Sequence, residues 1–321
     1  EILVFNRGAT ITYCIDSLEV VKQLPPGVPL LSEFGDRLIE TNTIPMIAKW
    51  RPILSQQEVD RVTNTDQACY ALTERPQVRL NTLPQTAYRH FPNALRPPIL
   101  WQMVTARHWW PIKNSPKTDI PWDEKINKAV WRGVFTGIGN EGSSENEDRV
   151  PSDLEKCTAN QRCNFVYQHA NSPLINAHLT STLGYVPDKI GSVNLVGDKK
   201  DLTMAELQKY KILINLEGND VSSGLKWQLY SRSIIIMPQP TANSWAMEEL
   251  LEPWVHYVPI EQDGSDAELK VQWVLDNDQK AERIAERSTL WMYDFLYHPK
   301  AGKENDKVKK EILKRYSQLW K

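Results

Sequence analysis

The run Ile212-Leu213-Ile214-Asn215-Leu216 passes straight into Glu217-Gly218-Asn219-Asp220-Val221-Ser222-Ser223-Gly224 and then Leu225-Lys226-Trp227. It reads as a buried strand, a tight polar turn and the first turn of a helix. A helix N-terminus presents unpaired backbone N–H groups and a partial positive charge, and small residues there let a phosphate approach the backbone. Gly218, Asn219, Asp220, Ser222 and Ser223 are therefore candidate phosphate contacts, and Lys226 brings a full positive charge nearby. Asp220, Ser222 and Ser223 are equally good helix caps, so these side chains alone do not separate a cap from a ligand contact. Glu217 stands at the carboxyl end of the predicted strand, where open α/β sheets bind ligands, and its carboxylate could hold a sugar or ribose hydroxyl pair.

A second segment, Trp131-Arg132-Gly133-Val134-Phe135-Thr136-Gly137, reads as a strand end followed by a glycine-containing turn. Arg132 offers a planar fork for a phosphate, Gly133 lets the backbone face a ligand, Thr136 adds a hydroxyl, and Arg149 is a second cation across the polar stretch that follows. Pro253-Trp254-Val255-His256-Tyr257-Val258-Pro259 is aromatic-rich, and Ser244-Trp245 precedes it. Sugars present apolar C–H faces that stack on rings, which makes Trp245 and His256 candidate sugar or acceptor contacts. Core packing is the other reading of both. Asp276-Asn277-Asp278 has a D-x-D form but falls inside a helical pattern, so it is read as a helix cap or a solvated face and no metal is assigned. No G-x-S-x-G, H-E-x-x-H or Walker pattern occurs, which removes common hydrolase and nucleotidase chemistries.

These segments need elements to position them. Ala129-Val130-Trp131 predicts a strand, 174–183 a helix, 203–209 a short helix, 212–216 a strand and 233–237 a further strand stopped by Pro238 and Pro240. Strands alternating with helices imply an α/β fold with a parallel sheet covered on both faces. Residues 261–296 look helical, and the charged tail from Lys300 reads as an amphipathic helix with Val308, Ile312, Leu313, Tyr316 and Leu319 on one side. The part before Trp122 is dense in proline and predicts short elements and many loops.

With 321 residues the chain accommodates two domains. Lys and Arg number 38 against 40 Asp and Glu, so no nucleic-acid partner is implied. No apolar run approaches the length of a membrane span. The chain opens at Glu1 rather than Met, which leaves room for a lost N-terminal signal or anchor. Cys157 and Cys163 lie six apart in what reads as a polar loop, without zinc-ligand spacing. A local disulfide is the sharper reading and two free thiols the other.

Taken together the segments resemble glycosyltransferase family 90, which contains capsule-associated xylosyltransferases and Rumi-like protein O-glucosyltransferases. The matches are Trp131-Arg132-Gly133 with Thr136; Lys209-Tyr210-Lys211 leading into Ile214 to Asn219; Ser222-Ser223 with Leu225-Lys226-Trp227; and Glu252 to Pro259. Asn277-Asp278 and Ile284-Ala285-Glu286 also fit. The resemblance implies a GT-B architecture, two Rossmann-like domains facing a cleft: 1–125 on the acceptor side, 126–290 holding the nucleotide sugar, and 291–321 a helical tail that packs back on the first domain. It implies an inverting enzyme that moves glucose or xylose from a UDP-sugar to a hydroxyl on a glycan or protein, with no bound cofactor and no metal. The secretory lumen, endoplasmic reticulum or Golgi, is the implied compartment. The family's base lies in a D-x-P segment, matched here by Thr73-Glu74-Arg75-Pro76, which assigns the base to Glu74. A competing register on Arg79 to Gln85 contains no carboxylate. Gly224 stands where Rumi-like members carry a diphosphate-binding Arg. The alternative function is a catalytically silent module of the same fold that binds a nucleotide sugar or glycan.

Overall fold

The computed structural model describes residues 4–7, 20, 23–25, 28, 30–33, 47–48, 50–52, 99–103, 106–137, 150–197 and 201–318. Glu74 and Arg149, assigned above to base and phosphate roles, lie outside the described residues. The chain forms two compact units, one of Glu1–Trp109, Thr241–Glu249 and Phe295–Lys321, the other of Trp110–Pro240 and Leu250–Asp294.

In the first unit the strands are short, as the proline density leads one to expect: β1 (Val4–Arg7), β2 (Leu30–Glu33), β3 (Ile47–Ala48), β4 (Trp50–Pro52) and β5 (Ile99–Leu100). All but β4 form a parallel sheet in the order β1-β2-β3-β5.

The second unit begins within helix α1 (Ala106–Thr118) and continues through β6 (Ile126–Val134), α2 (Asp153–Ala159), α3 (Gln161–Gln168) and β7 (Ile175–Ser181). A small ribbon of β8 (Lys189–Ile190) and β9 (Val193–Asn194) follows, then α4 (Met204–Leu207), β10 (Tyr210–Ile214), α5 (Leu225–Leu229) and β11 (Ile234–Met237). The chain returns to the first unit for β12 (Ala242–Ser244), which pairs antiparallel with β4. The remaining elements are β13 (Val258–Pro259), α6 (Ala267–Asp276), α7 (Asp278–Leu296) and α8 (Ala301–Ser317).

The second unit's sheet runs β13-β11-β10-β6-β7 with every neighbouring pair parallel. Ile212, Leu213 and Ile214 of β10 and Ile234, Ile235 and Ile236 of β11 are all buried. A parallel strand covered on both faces has no solvent side to mark, so its sequence is a continuous apolar run. β7 corrects the helix expected over 174–183. Ile175, Ala177 and Leu179 are buried while Asn176, His178 and Thr180 between them are half-buried, the period-two alternation of a strand. The polar loop expected at 157–163 is likewise an elbow between α2 and α3. The helices on either side are capped: Ser152 and Glu155 form a capping box at the start of α2, and Asn160 at the elbow accepts from the Cys163 amide. The Cys157–Cys163 disulfide is formed, with both cysteines buried.

One core group is unbalanced. Tyr257 is fully buried, and among the described residues its hydroxyl has no hydrogen-bond partner. Desolvation pushes its pKa up to about 12. Tyr257→Phe is therefore expected to hold or raise stability at pH 7, by about 1 kcal/mol, because it removes a buried unsatisfied group. Above pH 10 the unfolded chain ionises this phenol while the folded chain keeps its proton to about 12. The wild-type contribution is thus complete below pH 10 and lost as pH rises toward 12, and the Phe variant lacks that loss. Urea midpoints at pH 7 and pH 11 measure both effects, and a midpoint lowered at pH 7 would contradict the first.

Candidate functional site

From β6 the chain goes to β7 on one side, then passes back across β6 to β10 on the other. The strand order therefore reverses between β6 and β10. In open α/β sheets the crevice outside the carboxyl ends at such a point is where ligands bind. Two loops leave the strands there: Phe135-Thr136-Gly137 after β6, and Asn215 to Gly224 after β10.

The loops touch. The Gly137 amide donates to Asn219 Oδ1 at 3.0 Å. Gly137 adopts φ +113°, and a Cβ there would lie 3.2 Å from the Gly218 carbonyl oxygen. At Gly218 a Cβ would lie 2.8 Å from Arg162 Nη2 and 3.0 Å from Thr136 Oγ1. Both glycines are thus required by close approach. Ser222 accepts from Asn215 Nδ2 at 3.0 Å, which folds the second loop back over the end of β10.

Arg162, near the start of α3, holds the two loops from below. Its Nε donates to the Glu217 carbonyl at 2.9 Å and its Nη2 to the Leu216 carbonyl at 2.9 Å. Its Nη1 donates to Thr136 Oγ1 at 2.8 Å and to the Val134 carbonyl at 3.2 Å. Burial draws its pKa down to about 10, with the nearby Asp220 and Glu217 opposing the shift, so the guanidinium is charged at neutral pH. The residue was absent from the expected site because an Arg between two cysteines in a polar stretch looks like a surface charge. The available signal was the disulfide, which closes a short segment and holds whatever lies within it.

Beside these loops a narrow cleft of about 10 Å³, room for about one water, is lined by Gln161, Asn215, Glu217, Gln239 and Gln262. Met237, Pro238 and Pro240 supply its apolar wall. Its amide side chains and the Glu217 carboxylate are groups that suit the hydroxyls of a ligand. Among the described residues no group of three His, Cys, Asp or Glu is arranged to hold a metal.

The remaining expected residues fall in different places. Arg132 lies within β6, where its Nη1 donates to the Trp131 and Asn176 carbonyls and its Nη2 to Asn176 Oδ1, and burial lowers its pKa. A Cβ on Gly133 would lie 2.6 Å from the Trp131 ring, so this glycine makes room for the indole. Asp220 and Ser223 sit half-buried in the loop after β10, and the Lys226 side chain is buried at 1% exposure within α5. α5 has only five residues, too few for a strong dipole. Gly224 has ordinary helical φ, and a Cβ there would meet nothing closer than 3.4 Å. His256 Nδ1 accepts from the Glu252 amide, its ring packs edge-on to Trp291, and burial lowers its pKa; it does not line the cleft. Trp245 belongs to the first unit, buried between Trp109 and Phe295 with ring centroids 6.1 and 6.4 Å away. Asp278 of the D-x-D pairs with the Lys211 ammonium at 2.7 Å and accepts from Trp122 Nε1.

Residues 100–321 match the model of the family described as Glycosyl transferase family 90. Over 197 residues the chain is 37% identical to the O-glucosyltransferase LpsA of Dichelobacter nodosus, a match covering 61% of this chain and 51% of that one. It is 31% identical over 201 residues to the uncharacterized protein 179R of Invertebrate iridescent virus 6, covering 56% and 16%. Against protein O-glucosyltransferase 2 of Danio rerio it is 29% identical over 164 residues, covering 51% and 28%. The chain thus spans about half or less of the length of these curated relatives.

Proposed function

Because the chain belongs to glycosyl transferase family 90, we propose that the crevice between β6 and β10 binds the diphosphate of a UDP-sugar and that the chain transfers that sugar, with inversion, to a hydroxyl acceptor. The observation that carries the reading is the pair of glycine loops drawn together on Arg162 at the point where strand order reverses. Asn219, Asp220, Ser222 and Ser223 would present amides and hydroxyls to the phosphates from the loop after β10, whereas Arg132 and Lys226 are committed to β6–β7 hydrogen bonds and to the interior of α5. Glu217 takes the hydroxyl end of the donor. The names of the bacterial and fish relatives favour glucose as the sugar, with xylose as the alternative.

In the proposed reaction the acceptor oxygen attacks the anomeric carbon while Glu74 takes its proton. The bond to the diphosphate oxygen breaks on the opposite face and UDP leaves with the electron pair. Dipoles already oriented at the loops stabilise the charge that grows on the phosphates without reorganising. One carboxylate suffices because the diphosphate leaves without being protonated, unlike the paired carboxylates of glycosidases. The two units, each with its own parallel sheet, are proposed to be the two Rossmann-like domains of a GT-B enzyme, the acceptor being a glycan or protein. The buried disulfide supports a secretory-lumen location.

A thermal-shift panel of UDP, UDP-glucose, UDP-xylose and ADP-glucose, read with UDP release, tests this. UDP at a hundred times its Kd is expected to add about 2.7 kcal/mol. Binding with no turnover of any donor supports the silent module instead, and equal response to ADP-glucose overturns uridine specificity. Glu74→Gln is expected to lower kcat by about 10²–10⁴-fold with donor binding retained. Excess EDTA is expected to leave the rate within about twofold, since no step is assigned to a metal, and a larger loss would overturn that.

A further inference from the structure

Asn160, Gln161 and Arg162 are consecutive, and between them they reach the ends of three strands. Asn160 Nδ2 approaches the Thr136 carbonyl after β6 at 3.5 Å. Gln161 Nε2 donates to the Gln262 carbonyl after β13 at 2.7 Å. Arg162 takes both the β6 loop and the β10 loop through four acceptors. The segment that carries them is the α2–α3 elbow, closed by the Cys157–Cys163 disulfide and by the hydrogen bond from the Cys163 amide to Asn160 Oδ1 at 3.0 Å.

We infer that Arg162, held in this disulfide-closed elbow, is the positioning residue that sets the β6 and β10 loops at the separation their ligand requires. Its guanidinium donates to carbonyl and hydroxyl oxygens from both loops, and the nearby Asp220 and Glu217 carboxylates favour its charged form. A planar fork with five donors can meet four acceptors spread over two loops, whereas a lysine ammonium offers three donors from one point. Gly218 completes the arrangement, since a side chain there would collide with Nη2. The role of Arg162 in donor binding rests on the proposed function; its role in loop position does not.

The test is amide hydrogen exchange on the full chain, comparing wild type with Arg162→Lys, read together with calorimetric titration of UDP. The variant keeps the charge and loses the fork. Exchange at Thr136-Gly137 and at 217–219 is expected to rise at least tenfold while β6 and β10 themselves stay protected, and UDP is expected to bind about tenfold more weakly. A general loss of packing would instead raise exchange throughout the sheet. Gly218→Ala, which pushes on the same guanidinium and leaves it present, is expected to give the same local pattern and serves if Arg162→Lys fails to fold. Unchanged loop exchange in a folded variant overturns the inference. Loop exchange that rises in a protein whose wild type binds no UDP supports the positioning role and overturns the donor assignment.

Discussion

Replacing Asp119 with Ala is expected to lower the unfolding free energy by about 3–5 kcal/mol, the cost of leaving a buried charge without its partner. Lys125 Nζ lies 2.5 Å from Asp119 Oδ1, with the two side chains 0% and 4% exposed. Asp119 also accepts from the Ile120 and Arg232 amides, while Lys125 donates to the Gln208 carbonyl at 2.6 Å. The pair ties the entry of β6 to the segments before β10 and β11. Desolvation already lowers the Lys125 pKa in the intact protein, outweighing the pull of Asp119 toward the charged form. Without Asp119 it falls further. The unfolded chain then binds a proton that the folded chain does not, so the variant's stability increases as pH is raised toward the ordinary lysine value of about 10.4. Guanidinium unfolding at pH 7 and pH 9.5 measures both the loss and its partial recovery. A variant within about 1 kcal/mol of wild type at pH 7 would mean that the pair is solvated. Asp119→Leu combined with Lys125→Met is expected to recover part of the loss, because an apolar pair carries no desolvation cost.

Gly137→Ala is expected to damage the site more than the fold. A φ of +113° is closed to a side chain without strain of about 1–3 kcal/mol. The added Cβ would also press on the Gly218 and Glu217 carbonyls, at 3.2 and 3.4 Å. Relief requires the two loops to separate, which moves the backbone proposed to hold the diphosphate. UDP affinity and donor turnover are expected to fall more than tenfold, about 1.4 kcal/mol or more. Gly184→Ala is the control. Its φ is +79° but a Cβ there meets nothing within 4 Å, so it carries backbone strain without moving the loops. Equal losses of UDP binding in the two variants would show that strain alone, rather than loop separation, is responsible.

The legible parts of this chain were those in which one interaction dominates. β10 and β11 could be read because burial on both faces writes an uninterrupted apolar run. α4 is announced by Thr203 and Glu206, whose reciprocal hydrogen bonds form a capping box. β7 was misread because Leu174 and Leu183 at its flanks extend an apolar spacing that also fits a helix, while the buried Ile175, Ala177 and Leu179 carry the true period of two. In the tail, Leu313 and Tyr316 are buried as expected but Val308 is 56% exposed, since an apolar stripe states a preference and only the neighbouring elements supply cover.

At the site the division is similar. Gly218, Asn219 and Thr136 could be found because small and polar residues at a strand end have a local geometric meaning. Their contact across two loops could not be, because it depends on which strand lies beside β6. Arg132 and Lys226 have the right charge for a phosphate, yet Arg132 is hydrogen-bonded along β6 and β7 and Lys226 is buried in α5. The buried cation joining the loops is Arg162, which comes from a different element.

The sequence by itself determined the parallel α/β unit, the strand-turn-helix at Ile214 to Trp227, the cysteine pair and the family, each of them legible from short runs whose meaning is local even where several runs are read together. Only the tertiary structure decided that β6 and β10 are neighbours at a reversal of strand order, that Gly137 and Gly218 meet there, and that Arg162 lies beneath them. Those facts depend on strand order and on burial, which join residues dozens of positions apart and leave no periodicity in the chain to be read.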